Sequence, residues 1–307
     1  MQEKILNQQR AALAAIAVVI PLAMVATMYT GTVRRQEAAG PEHRITVVAS
    51  FYPLYDFASH VAGDRAGVAS LIPPGVEPHD WEPTAGDVTK ARSADVLILN
   101  GAGFEKWSER IGAKRTVNTS EGIQLTQAAE GGIDPHVWLD PMLAKQQVEN
   151  IKAALMEADP QNADQYSKNA AAYIVELDGL DSYIKAELAD CKKSDFIAFH
   201  DAFSRFAARY GLTQHAIEGI SPEGEVLPQR IQEVIGLARQ LGIKVIYSED
   251  LVDSRLADVI ASELAGGKVL ILSPVEGITK AEQSAGVGYL EKMRENVAHL
   301  KEGLQCG

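Results

Sequence analysis

Cysteine is nearly absent from this 307-residue chain, which has only Cys191 and Cys306. Two thiols cannot build a four-thiolate zinc site or the dense cross-links of a small secreted scaffold. Basic residues are also scarce, 29 Lys and Arg against 41 Asp and Glu, for a net charge of −12. A nucleic-acid binder needs clustered positive charge to neutralise phosphates, so that class is excluded. Familiar enzyme signatures are missing as well. There is no Gly-x-x-x-x-Gly-Lys phosphate loop, no Gly-x-Ser-x-Gly elbow and no His-Glu-x-x-His helix. Gly101-Ala102-Gly103 follows a strand pattern, but Lys106 stands where a dinucleotide fingerprint needs its third glycine.

What is present is an ordinary globular balance, 46% hydrophobic and 23% charged. At roughly 150 residues per domain, the length suggests about two domains. Ala11–Val33 is a run of 23 uncharged, mostly aliphatic residues. At ~1.5 Å per residue it is long enough to cross a ~30 Å hydrocarbon core. It reads as an uncleaved membrane anchor in preference to a cleaved signal, and residues 34–44 as a short tether. No cysteine lies near its end, so a lipidated N-terminus is not expected. The remainder is placed outside the membrane, either anchored or secreted. In that setting Cys191 and Cys306 are expected to form a disulfide closing more than 100 residues. Asn118-Thr119-Ser120 fits a glycosylation acceptor, a triplet common by chance.

Short continuous apolar runs at Ile45–Phe51, Asp95–Asn100, Asp195–His200, Lys244–Ser248 and Lys268–Leu272 read as strands buried on both faces. Helical periodicity lies between them, over Leu54–Val61, Asp87–Arg92, Leu143–Glu157, Ala202–Tyr210, Leu227–Leu241, Leu256–Leu264 and Val287–Leu304. The alternation predicts an α/β fold with parallel sheets. From Pro160 to about Ala189, Tyr166, Tyr173, Leu177, Leu180, Ile184 and Leu188 recur at helical spacing. About 30 residues make a rod of ~45 Å. The expected organisation is an anchor and tether over 1–44, an α/β lobe over 45–158, a linker helix over 159–189 and a second α/β lobe over 190–307.

Three of the seven histidines sit in unusual settings. His79 lies in a loop with four prolines, Pro73-Pro74-Gly75-Val76-Glu77-Pro78-His79-Asp80-Trp81-Glu82-Pro83, and His136 lies between two more in Asp134-Pro135-His136-Val137-Trp138-Leu139-Asp140-Pro141. His200 ends the strand Phe196–Phe199. Ligands of open α/β sheets bind beyond the carboxyl ends of strands, so three imidazoles delivered there can converge on a metal. Single loop histidines are nonetheless more often hydrogen-bonding residues than ligands. His43, His60, His215 and His299 read as structural or solvated.

Together with Asn100-Gly101 and His200-Asp201-Ala202-Phe203, leading to Tyr210-Gly211-Leu212, these motifs resemble the zinc/manganese solute-binding proteins of ABC importers. The resemblance spans about 45–307 and implies two α/β lobes joined by one long helix. It maps the metal histidines onto His79, His136 and His200. The family's usual fourth ligand, an Asp in a Leu-Asp-Pro context, is replaced in Leu272-Ser273-Pro274. Glu276 is the first candidate for the missing carboxylate, Glu249 the second and water the third. The His-rich loop of many zinc-specific members is absent, since 108–133 contains no histidine. Manganese-selective relatives tend to carry a carboxylate where this chain has His200. Three nitrogens and one oxygen favour Zn²⁺ over Mn²⁺. Asp140 or Asp201 could orient a ligand ring or cap a helix.

The resemblance thus implies a non-enzymatic, monomeric receptor that captures Zn²⁺ in the cleft between lobes and hands it to a membrane permease driven by an ATPase. A continuous linker helix implies small shifts on binding, and neutral imidazole ligands imply affinity lost below a pH of ~6.5. Three alternatives stand beside it: a manganese receptor, an exported zinc-dependent hydrolase using three histidines and a metal-bound water, and a surface adhesin.

Overall fold

The computed structural model describes residues 44–128, 131–222 and 226–307. The expected anchor at 11–33, most of the tether and His43 lie outside the described residues. Among the described residues no helix is long and apolar enough to cross a membrane.

Two four-stranded parallel sheets form the frame. The first holds β1 (Ile45–Ala49), β2 (Ala66–Ser70), β3 (Val96–Leu99) and β4 (Thr116–Asn118), in the order β2-β1-β3-β4. The second holds β5 (Asp195–Ala198), β6 (Thr213–Ala216), β7 (Val245–Ser248) and β8 (Lys268–Ile271), in the order β6-β5-β7-β8. Register is regular, with Val48 facing Leu97 in the first sheet and Tyr247 facing Leu270 in the second. Parallel neighbours require crossovers; an α-helix supplies each of them except that from β3 to β4, which carries only a 3₁₀ turn at Ser108–Arg110. Among the described residues the α-helices, in chain order, are α1 (Tyr52–Ala62), α2 (Ala85–Ser93), α3 (Pro141–Ala158), α4 (Ala163–Glu187), α5 (Ser204–Tyr210), α6 (Pro228–Leu241), α7 (Arg255–Ser262), α8 (Lys280–Ala285) and α9 (Tyr289–Leu304).

Strand periodicity sorts the core. Val47 and Ala49 of β1 face the same apolar cluster as Phe196 and Ala198 of β5, and that cluster runs through both sheets. Their neighbours point the other way: Val48 packs with Leu71, Leu97 and Trp107, and Ile197 with Val234, Ile246 and Ile260. Each sheet is therefore covered on both faces, which is why its central strands read as unbroken apolar runs.

The bridging helix is α4. Tyr166, Ala170, Tyr173, Leu177, Leu180 and Ile184 form its buried stripe within the shared cluster. Pro160–Asn162 makes a separate 3₁₀ turn, so α4 is 25 residues and shorter than the sequence pattern suggested. Strands β2, β4 and β6 were not expected either. They are edge strands of mixed composition, Ala-Gly-Val-Ala-Ser, Thr-Val-Asn and Thr-Gln-His-Ala, and lack the apolar run of a central strand. Cys191, just after α4, and Cys306, just after α9, are joined by the expected disulfide.

The two halves are stitched together beside the long helix. The Trp138 indole donates to the Pro274 carbonyl at 2.7 Å, and the Tyr289 hydroxyl to the Trp138 carbonyl at 2.6 Å. Gly75 donates its backbone N–H to Ile278 at 2.8 Å. Arg209 on α5 lies 3.3 Å from Asp140 and 2.7 Å from Asp181 on α4.

Candidate metal centre

Four side chains meet at the carboxyl ends of the strands: His79, His136, His200 and Glu276. His79 stands on the loop between β2 and α2, its backbone N–H held by the Glu77 carboxylate at 3.0 Å. His136 sits on the Asp134-Pro135-His136 turn before α3, and His200 lies just past β5. Glu276 occupies the loop after β8 and is only 3% exposed. The structure thus gathers the three candidate histidines with the first of the candidate carboxylates.

Two of the rings are held in the same way. Asp134 Oδ1 accepts from both the backbone N–H of His136 (3.0 Å) and its Nδ1 (2.9 Å). Glu249 Oε1 accepts from both the backbone N–H of His200 (3.2 Å) and its Nδ1 (2.6 Å). With a proton on Nδ1, each neutral ring turns the lone pair of Nε2 inward. The supports are themselves anchored. Arg205 Nε lies 3.2 Å from the second oxygen of Asp134, and the Asn100 amide donates to the Pro135 carbonyl at 2.9 Å. The Gln214 amide donates to the His200 carbonyl at 2.6 Å.

All four inward atoms lie within 4.8 Å of one another, and five of their six separations fall between 3.1 and 3.5 Å. Glu276 Oε1 is 3.1 Å from His79 Nε2, 3.2 Å from His136 Nε2 and 3.5 Å from His200 Nε2. His136 Nε2 is 3.4 Å from His79 Nε2 and 3.2 Å from His200 Nε2. A tetrahedron built on zinc bonds of ~2.0–2.1 Å has edges of about 3.3 Å, which is this spacing.

Charge is balanced inside the site. Burial alone would push the Glu276 carboxyl up, but the three imidazoles outweigh it and hold it well below the ordinary range. Burial pulls His136 and His200 down. The bonds to Asp134 and Glu276 reverse this for His136, and Glu249 with Glu276 carries His200 well above its usual value. His79 goes the other way, because burial outweighs its single carboxylate partner.

The structure decides between several alternatives that the sequence left open. Glu249 sits on the outer nitrogen of His200 and does not join the four inward donors. Asp140 caps α3 through the Met142 N–H, and Asp201 accepts from the Ser204 hydroxyl, so neither orients a ligand ring. Asp134 does orient one, and was missed although it stands two residues before His136. The Gly101 loop wraps an internal carboxylate, Glu105, which accepts from the Asn100 and Gly101 N–H groups. The other described histidines lie apart from the cluster. His60 stacks on Tyr173, His215 bonds Asp195, and His299 bonds the Ile271 carbonyl.

Residues 47–303 match the family model described as zinc-uptake complex component A, periplasmic (ZnuA). The chain belongs to the ZnuA family. It is 37% identical over 281 residues to the high-affinity zinc uptake system protein ZnuA of Bacillus subtilis, covering 85% of this chain and 88% of that one. Solved structures agree. The laminin-binding protein Lmb of Streptococcus agalactiae, described as a bifunctional protein with adhesin and metal-transporting activity, superposes with a TM-score of 0.79 at 32% identity, over 85% of this chain and 99% of that one. Zn(II)-bound AdcA of Streptococcus pneumoniae gives 0.76 at 35% identity, over 85% of this chain and 58% of that one. The family membership accounts for the two-lobed α/β fold and makes this a periplasmic-type zinc-binding component of an ABC importer.

Proposed function

We propose that this ZnuA-family protein holds one Zn²⁺ through Nε2 of His79, His136 and His200 and the carboxylate of Glu276, in a cleft between lobes over 45–158 and 190–307. The four donors at tetrahedral spacing carry this reading. Three nitrogens with one oxygen favour Zn²⁺ over Mn²⁺, which prefers oxygen. The cargo then passes to a membrane permease powered by an ATPase. The chain works as an extracytoplasmic monomer tethered by 11–33, and the metal is transported, not used for catalysis. The acids nearest the imidazoles, Asp134 and Glu249, are bonded to ring nitrogens, which leaves neither in the position of a general base.

Titration calorimetry of the metal-stripped domain with Zn²⁺ and Mn²⁺ tests the assignment. One tight zinc site, weaker for manganese and lost with Glu276→Ala, is expected; equal affinity for both metals would sink the selectivity claim.

Zinc requires neutral imidazole, so it must displace the protons that His136 and His200 retain above their usual range. Affinity therefore rises with pH and, on acidification, starts to fall above the ~6.5 of free histidine. His79, shifted down, adds its loss only in more acidic solution, and Glu276 remains anionic throughout. Competition titrations should show binding at least about tenfold weaker at pH ~6 than at ~8. A flat profile would contradict the shared proton and metal sites.

The bonds across the halves at Trp138, Tyr289 and Gly75, together with the continuous α4, leave little room for hinge motion. Small-angle scattering with and without zinc should give nearly superimposable profiles. Marked compaction would mean that these bonds break on binding.

A further inference from the structure

Glu276 reaches the three imidazoles from an unusual stretch of backbone. Val275, immediately before it, is fully buried and has a φ of 56°. A β-branched residue avoids that conformation unless its surroundings impose it. The surroundings are a buried polar network. The Ser273 hydroxyl accepts from the Val275 N–H at 3.1 Å and donates to Asp250 Oδ2 at 2.9 Å. The Ser273 backbone is gripped at both ends by the Asn296 amide, whose oxygen accepts from the Ser273 N–H and whose nitrogen donates to the Ser273 carbonyl. Lys292, on α9 and 2% exposed, donates to Asp250 Oδ2 at 2.5 Å and to Glu282 Oε1 at 2.7 Å. That sets the Lys292 ammonium directly against the Asp250 carboxylate that holds Ser273.

We propose that Asp250, Ser273 and Lys292 are positioning residues which force the 273–276 turn to present the Glu276 carboxylate to the three histidines. The assignment rests on Glu276 being a ligand. It also explains the serine found where the family's usual Asp would stand. The Ser273 hydroxyl is engaged by Asp250 and the Val275 N–H, and holds the turn that brings in a carboxylate from three residues further on. Strand β7 thereby serves both ligands of the second lobe without supplying either. Glu249 at its end orients His200, and the adjacent Asp250 sets the turn of Glu276.

The test uses the full-length chain, with Zn²⁺ affinity and the d–d absorption of Co²⁺ as the two readouts. Ser273→Ala and Asp250→Asn should each weaken zinc binding by about 10–100-fold and reduce the tetrahedral cobalt band. In a Glu276→Ala background, Ser273→Ala should change affinity by less than about twofold, because its effect runs through the missing carboxylate. A merely structural role would lower affinity by the same factor in both backgrounds, and that result overturns the proposal. So would wild-type affinity and spectrum in both single variants. If Glu276→Ala alone leaves affinity and spectrum unchanged, the ligand assignment and the proposal fall together, a failure visible before Ser273 is altered.

Discussion

Replacing His136 with alanine should weaken zinc binding by roughly 100–1,000-fold. Structural zinc sites are worth about 10–16 kcal/mol in apparent binding energy, so one ligand of four represents about 2.5–4 kcal/mol, with a factor of ten for each ~1.4. His136 is fully buried, packed against the His200 ring and Trp138. The fold should survive, because Asp134 retains Arg205 when the ring is lost. His215→Ala, which removes a ring bonded to Asp195 on a sheet edge, serves as the control and should bind zinc normally. A His136→Ala protein with circular dichroism and zinc affinity close to wild type would remove His136 from the ligand set.

Loss of the disulfide should cost stability and leave zinc binding unchanged. Cys191 and Cys306 are 115 residues apart in sequence, and on chain-entropy grounds a loop of that size stabilises by roughly 4–5 kcal/mol. For a domain of this size that corresponds to a fall in Tm of roughly 10–15 °C. The bridge lies before the start of β5, whereas His200 lies beyond its end, so the strand separates the two. A Cys191→Ser/Cys306→Ser variant, compared with the oxidised protein by calorimetry, should melt earlier and bind zinc equally well. A melting point within about 2 °C of wild type would show that the bridge constrains little beyond what α4 and α9 already hold.

Much of this molecule can be read directly from its residues. The runs in β1, β3, β5 and β7 are apolar because those strands are central and covered on both faces, and burial of that kind leaves a compositional trace. The stripe of α4 is periodic because one side of a helix packs into a core. His79 and His136 are marked by the prolines that stiffen their loops, and His200 by its place after a strand. The edge strands β2, β4 and β6 leave no such trace, since half of each faces solvent and their pairing is made by backbone groups common to every residue. Asp134 was legible in principle, because an acid two residues before a histidine can bond both its backbone and its ring.

The fourth donor was legible only as a ranked choice between two carboxylates. Glu249 and Glu276 each follow a strand of the same sheet, and the sequence ranks Glu276 first without a geometric reason to set Glu249 aside. Only the lateral order of that sheet decides between them. β7 lies directly beside β5, which brings Glu249 within reach of the outer nitrogen of His200 and commits it there. β8 lies one strand further out, and a reversed φ at Val275, held by Ser273, Asp250 and Lys292, turns Glu276 back across the gap to the inner nitrogens. By itself, then, local composition carried the fold class, because burial is written in it, while the three imidazoles were marked by their loops and mapped by the family resemblance. The choice of carboxylate belongs to strand order and to a network among residues up to 42 positions apart, which no local pattern encodes.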